Sequence, residues 1–275
     1  MDTGDIAPKP AHLGPQYGAQ FGDDSIVRAY RHRPPYPIEL FGILASLLPS
    51  VPGAILDAGC GNGDLTLGML ANLPGIERLD AIDLSAGMIE AGRQRPGGDE
   101  PRLRWQVAPL ETATLSPPYG LVTAGESMHW MDWEVVLPRF RDALLPGGVL
   151  AIVGRGPRPS PWTDDLIRIV QRHSTNRDFQ PYDLIDELAS RRLFRVLGRK
   201  TTAPVICTQT IDDHIEFWHS RNGLSRDRMT TAGAFDREMR ALLAGYSHRE
   251  TVTFDVVGSV TWGLPAPDPG QRENA

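Results

Sequence analysis

Residues Ala54–Asp64 read AILDAGCGNGD: a short apolar run ends in Asp57 and opens into Gly59, Gly61 and Gly63. The run predicts a buried strand, the glycines a tight turn, and Asp64–Asn72 a helix carrying Leu65, Leu67, Met69 and Leu70. Glycines in such a turn let backbone N–H groups come close to a ligand at a helix N-terminus. Asp83 follows twenty residues after Gly63 and ends a second apolar run, Arg78–Asp83. A carboxylate at that place can accept hydrogen bonds from both ribose hydroxyls. The dinucleotide spacing G-x-G-x-x-G fails here, because its last position falls on Asp64 or Thr66. The spacing present is D-x-G-x-G-x-G.

Strand and helix signals alternate outward from this loop. Pro37–Leu48 and Ser85–Gln94 read as helices, the latter with Ser85 as N-cap, and Leu103–Val107 and Tyr119–Ala124 as strands. Trp133–Leu145 reads as a helix stopped by Pro146-Gly147-Gly148, and Val149–Gly154 as a fifth strand. Such repeats predict a parallel sheet with helices on both faces. After Gly154 the pattern changes. Pro161–Ser174, Tyr182–Ser190, Ile211–Ser220 and Phe235–Leu243 look helical, with Asp212 or Asp213 as cap of the third. Arg195–Thr208 is strand-like, and Glu250–Trp262 reads as the last strand. Helices inserted there form a lid over the sheet's carboxyl edge, where ligands of such folds bind.

Composition narrows the function. The 275 residues carry 28 basic and 34 acidic side chains, a net charge of −6, which weighs against nucleic-acid binding by bulk electrostatics. The 28 glycines and 24 prolines exceed the usual share without reaching the level of a disordered chain. The longest apolar runs, Phe41–Leu48 and Val149–Val153, are too short for a membrane span. The first residues show no basic start and no apolar core of a signal peptide, so the expected location is cytoplasmic. Cys60 and Cys207 are too few for a disulfide framework or a four-cysteine zinc site, and no metal is expected.

The D-x-G-x-G-x-G loop with its distal acid resembles motif I of class I S-adenosylmethionine-dependent methyltransferases. Val107–Glu111 (VAPLE) resembles the segment beside the adenine, with Pro109 where an Asp is common, and Pro146–Val153 resembles a later turn and strand. Tyr30–Leu40 (YRHRPPYPIEL) and Ser127–Asp132 (SMHWMD) are similar to a small-molecule branch of trans-aconitate methyltransferase-like (methyltransferase type 11) enzymes. The resemblance covers about residues 28–155. It implies S-adenosylmethionine as cofactor, S-adenosylhomocysteine as product, and a cofactor set of Arg33, Asp57, Gly59, Cys60, Gly61, Asp83, Leu84, Met88, Leu110, Glu111 and Gly125. In that set Asp57, Gly59, Cys60 and Gly61 line the methionine part, Asp83 holds the ribose, and Arg33 approaches the cofactor carboxylate.

Candidate substrate residues are Tyr17, Tyr30, Trp130, His214 and Trp218. His129 is the candidate catalytic base, since an imidazole near neutral pKa suits proton removal from an acceptor. Positioning and desolvation can suffice for methyl transfer, and His129 then only packs beside the cofactor. Glu126 faces either the cofactor or solvent. His214 and Trp218, at i and i+4, share a helical face as pocket lining or as lid packing. Ser116-Pro117-Pro118-Tyr119 matches a tetrapeptide of amino-methyltransferases, but it precedes its strand instead of following it, so it reads as loop.

The expected architecture is therefore α/β: a Rossmann-like, seven-stranded, mostly parallel sheet, with one antiparallel strand near its end, helices on both faces and a helical lid. Residues 1–24 are expected as a flexible tail, 25–155 as the S-adenosylmethionine-binding core, and 156–249 as lid and late strand. Residues 250–264 are the last strand and 265–275 a disordered end. The expected activity is methyl transfer to an oxygen, nitrogen or carbon nucleophile of a small molecule, without nucleic-acid or membrane partners and with no indication of oligomeric state. A same-fold cyclase or cofactor-binding regulator, or a methyltransferase acting on a macromolecule, stays open.

Overall fold

A computed structural model describes residues 9–49 and 53–265. Residues 1–8 of the expected flexible tail and 266–275 of the expected disordered end lie outside the described residues. The first five strands are β1 (Ala54–Ala58), β2 (Arg78–Asp83), β3 (Leu103–Val107), β4 (Tyr119–Gly125) and β5 (Leu144–Pro157). They are followed by β6 (Phe194–Thr201), β7 (Val205–Thr210) and β8 (Thr251–Pro265). They form one sheet in the order β3-β2-β1-β4-β5-β8-β6, with β7 also paired to β8. The β1–β5 pairings are parallel, and β8 runs antiparallel to β5, β6 and β7.

The count is eight strands where seven were expected. The predicted strand over 195–208 is broken between β6 and β7. Pro204 has no N–H to donate, and the Thr202 hydroxyl takes the Gly258 N–H at 2.9 Å in place of a ladder carbonyl. β6 pairs with Ser259–Pro265, and β7 continues along the same edge against Thr251–Val256.

Side-chain alternation puts a core on each face of the sheet. Ile55, Leu121, Ala151 and Val153 pack with Leu40, Phe41 and Leu44 of α3 (Ile38–Ala45), Leu65 and Met69 of α4 (Asp64–Asn72) and Ile89 of α5 (Ala86–Arg93). Leu56, Val122, Ala124 and Leu150 pack with Trp133, Val136 and Phe140 of α6 (Trp133–Ala143). A third core joins α7 (Thr163–His173), α9 (Ile211–His219) and α10 (Ala232–Ala244) to the first half of β8. A further short helix, α8 (Leu184–Ser190), packs on β6. Ser85 caps α5 as expected, accepting the Met88 N–H at 3.2 Å. The cap of α9 is Thr210, not Asp212 or Asp213: its hydroxyl accepts the Asp213 N–H at 3.0 Å.

Residues 9–24, expected to be a flexible tail, are instead packed. They form short helices that include α1 (Pro15–Gly18), and α2 (Asp24–Ala29) follows. Polar bonds to the lid fix them: Tyr17 donates to Asp178 at 2.8 Å, the Gly223 N–H donates to Gln20 at 3.0 Å, and Arg228 makes a forked pair with Asp23. The absence of apolar periodicity hid this segment, because its anchors are individual polar groups.

Candidate functional site

The glycine loop turns sharply off β1. Gly59 and Gly61 hold φ of +72° and +55°, a left-handed backbone that side-chain-bearing residues seldom adopt. A Cβ on Gly59 would sit 2.5 Å from the Ser127 Cβ. Below the loop, Asp57 is fully buried and takes hydrogen bonds from the Thr66 and Thr123 hydroxyls at 2.5 and 2.9 Å. Burial pushes its pKa up to about 6. Asp57 thus braces β1, β4 and α4 beneath the loop. Cys60 is buried too, its thiol turned to the Gly61 carbonyl at 3.6 Å and its pKa raised by burial. Neither side chain reaches a cavity wall.

A cavity of about 1010 Å³ opens over the loop at the carboxyl ends of β1, β2 and β4. Gly59, Gly61, Asp83, Leu84, Met88, Leu110, Glu111 and Gly125 line it, together with Tyr30 and Trp130. Asp83 is fixed there: Oδ2 accepts the Gly61 N–H and Oδ1 the Ser85 N–H, each at 2.8 Å. Glu111 accepts the Asp132 N–H at 2.8 Å, tying the segment after β3 to the loop after β4. The floor near Asp83 is apolar, from Leu84, Met88 and Leu110, and the far wall comes from the N-terminal segment, with Lys9 and Phe21. Lys9 donates to the Met131 carbonyl at 2.8 Å, and burial lowers its pKa to about 8.

A second cavity, of about 670 Å³, lies between the sheet edge and the lid. Leu13, Phe21, Glu126 and Trp130 line both spaces, so the Phe21–Trp130 ring pair, 5.6 Å apart, stands between them. His129, Trp218 and Arg33 belong to this second cavity. His129 sits against Trp130, and burial depresses its pKa to about 3, with Lys9 and Arg33 adding to the effect. Its ring is therefore neutral at ordinary pH and a poor proton acceptor.

Arg33 is pinned to the lid, donating to the Ser220 carbonyl at 2.7 Å and to the Tyr30 hydroxyl at 3.1 Å, with Glu126 at 3.6 Å. Glu126 lines both cavities at a positive φ of 53°, a strained backbone of the kind that collects at ligand sites. Arg155 of β5 lies 3.5 Å from Glu126 and bonds Asp64 at 2.6 Å over the Tyr36 ring. No spacing in the sequence singled out Arg155 or Arg221, which join Arg33 as buried cations of this cavity.

Two of the substrate candidates, like Asp57 and Cys60 of the cofactor set, lie away from both spaces. Tyr17 is buried with its hydroxyl on Asp178. His214 is buried under Trp218, whose indole N–H donates to His214 Nε2 at 3.3 Å. His214 Nδ1 then carries the proton and donates to Gln209 at 3.0 Å. The shared α9 face is real, but only Trp218 reaches the cavity.

Comparison with known proteins meets this geometry at the glycine loop. A family pattern described as "Methyltransferase domain" matches residues 55–148. Trans-aconitate 2-methyltransferase of Methylobacterium radiotolerans is 34% identical over 111 residues, 40% of this chain and 41% of that protein. Malonyl-[acyl-carrier protein] O-methyltransferase of Dechloromonas aromatica is 34% identical over 118 residues, 42% of this chain and 41% of that one. The chain thus spans about two fifths of the length of the curated relatives it matches. A solved structure from Anaeromyxobacter dehalogenans, provisionally named a type II methyltransferase, has a TM-score of 0.60 at 27% identity, covering 85% of this chain and 99% of that one. YcgJ of Bacillus subtilis shares the fold, with a TM-score of 0.51 at 13% identity over 84% of this chain and 99% of its own. Among the described residues no helix is long and apolar enough to cross a membrane, and no cluster of His, Cys, Asp and Glu is set to hold a metal.

Proposed function

Because the core of this chain is a class I S-adenosylmethionine-dependent methyltransferase domain, we propose that the protein transfers a methyl group from that cofactor to a small molecule. The observation that carries this reading is Asp83, aimed into a cavity floored by a backbone that tolerates no Cβ at Gly59. Gly59 and Gly61 would pass under the methionine part of the cofactor, Asp83 would hold the ribose, and Leu84, Met88 and Leu110 would face the adenine. Bound there, S-adenosylmethionine supplies an electrophilic methyl: an acceptor lone pair bonds to that carbon, the C–S electron pair stays on sulfur, and S-adenosylhomocysteine and the methylated acceptor result.

The chain's own contribution is positioning and exclusion of water. The N-terminal segment closes over both cavities, and the Phe21–Trp130 pair stands where acceptor and cofactor would meet. His129, neutral and half-buried, serves as a hydrogen-bonding wall group rather than as a base in this proposal. Arg33 acts from the acceptor side, tied to Ser220 and Glu126, instead of on the cofactor carboxylate. A small acceptor suits a cavity enclosed by the lid. The test is calorimetric titration with S-adenosylmethionine, S-adenosylhomocysteine and NAD. Binding of both sulfur nucleosides but not NAD is expected, and failure of both to bind would overturn the assignment.

A further inference from the structure

The second cavity gathers polar atoms that have nothing to bond. His12 Nε2, Trp130 Nε1, Arg155 Nη1, Asn176 Oδ1 and Arg221 Nε are buried without a hydrogen-bond partner, and all five residues line it. Three of these atoms, on Trp130, Arg155 and Arg221, are N–H donors. Buried donors without acceptors are rare in folded chains, and that the residues carrying these all border one space points to a ligand bearing acceptor oxygens.

The charges favour an anion. Arg33 and Arg155 already share Glu126, and Arg155 also bonds Asp64. Glu126 is the one carboxylate in the cavity wall among the described residues. Arg221 has no ion-pair partner among them, and its guanidinium lies over the Phe217 and Trp218 rings, 4.9 and 4.7 Å from their centroids. Arg177, also without an ion pair among the described residues, is exposed at the rim and donates to the Gln171 and Arg172 carbonyls, so inside the wall Arg221 is the cation without a counter-charge, which matches one anionic group. A molecule with several carboxylates would leave the others buried against Glu126.

Part of the remaining wall is aromatic, with Phe21, Trp130, Phe217 and Trp218 coming from three different segments, and aliphatic residues such as Ile167, Val170 and Leu224 complete it. Flat apolar ligands gain from edge and face contacts with such rings beyond the burial of area.

We propose that this cavity holds the methyl acceptor, and that the acceptor is an aromatic acid with a single anionic group, seated on Arg221. The assignment rests on the methyl-transfer reading for the word acceptor, but the binding it asserts is measured without turnover. The full chain is titrated by calorimetry with cinnamate, naphthoate and biphenylcarboxylate, with their primary amides, and with trans-aconitate, in the presence and absence of S-adenosylhomocysteine.

At least one aromatic acid binds and quenches tryptophan fluorescence, and its amide binds at least tenfold more weakly. Arg221→Gln loses at least tenfold for the acid and little for the amide, while its affinity for S-adenosylhomocysteine is kept. Arg221→Lys retains part of the preference for acid over amide, and stands in if the glutamine variant does not fold. The proposal is overturned if S-adenosylhomocysteine binds but no aromatic acid does. Equal binding by Arg221→Gln and the parent chain, or trans-aconitate binding more tightly than every aromatic acid, would also sink it. If aromatic acids bind through Arg221 and S-adenosylhomocysteine does not bind at all, the cofactor reading fails and the cavity assignment stands.

Discussion

Asp83 Oδ2 accepts the Gly61 N–H at 2.8 Å, so the acid that ends β2 and the loop that leaves β1 are one rigid unit. The bond holds a carboxylate edge toward the first cavity and fixes the loop's second glycine at the same time. Asp83→Ala removes both, and a charge-assisted hydrogen bond contributes roughly 1.5–3 kcal/mol. S-adenosylhomocysteine affinity is expected to fall at least tenfold by calorimetry. An unchanged dissociation constant would remove Asp83 from the ribose role.

Gly59 is the position where the loop tolerates no side chain. Gly59→Ala meets Ser127 at 2.5 Å and must also hold φ near +72°. Such strain costs on the order of 1–3 kcal/mol. The variant should melt several degrees lower and bind S-adenosylhomocysteine far more weakly. Gly75, also left-handed but with open space around it, is the control: Gly75→Ala should lose some stability but keep its ligand affinity.

The N-terminal segment roofs both cavities and hangs on polar bonds, which predicts a measurable opening. Tyr17→Phe keeps the packing and removes the bond to Asp178; Asp23→Ala removes the fork to Arg228 and the bond to Ser225. Each should raise amide hydrogen exchange within residues 11–29 and speed S-adenosylhomocysteine release, with exchange in β1 and β4 unchanged. Uniform acceleration across the sheet would mean that the bonds support the whole fold rather than a roof.

What the sequence made legible follows from where each signal is local. AILDAGCGNGD carried the strand, the turn and the start of the helix in eleven consecutive residues, and Asp83 was found because its strand ends there. The break between β6 and β7 was hidden, since it depends on Thr202 meeting Gly258, 56 residues away. Arg155 and Arg221 were invisible for the same reason: neither sits in a motif, and only the lid's docking brings them to one space. Tyr17 and His214 were named as pocket residues because their aromatic character is readable, while the direction of a side chain is not. Both point into packing.

Two buried groups give opposite pH signatures. The Asp57 pKa is raised by burial to about 6, so between its unfolded value near 4 and about 6 the folded state binds more protons. Stability from this group is greatest at low pH and falls as pH rises through about 6, by about 3 kcal/mol at full burial. His129 behaves in reverse. Its pKa is lowered to about 3, so between about 3 and its unfolded value of 6.5 the unfolded chain binds more protons, and stability falls as pH drops through that window. The two effects oppose each other between about pH 4 and 6 and partly mask one another in the parent protein. Asp57→Asn keeps the shape and removes one of them, so its urea-unfolding free energy should climb more steeply than the parent's as pH rises from 4 to 6. His129→Phe should do the opposite and show a stability that declines across the same range. Parallel profiles for parent and both variants would mean that neither group is shifted in the folded protein. The same experiment bears on chemistry: a neutral His129 predicts that turnover, once an acceptor is in hand, shows no inflection near pH 6.5 that His129→Gln abolishes.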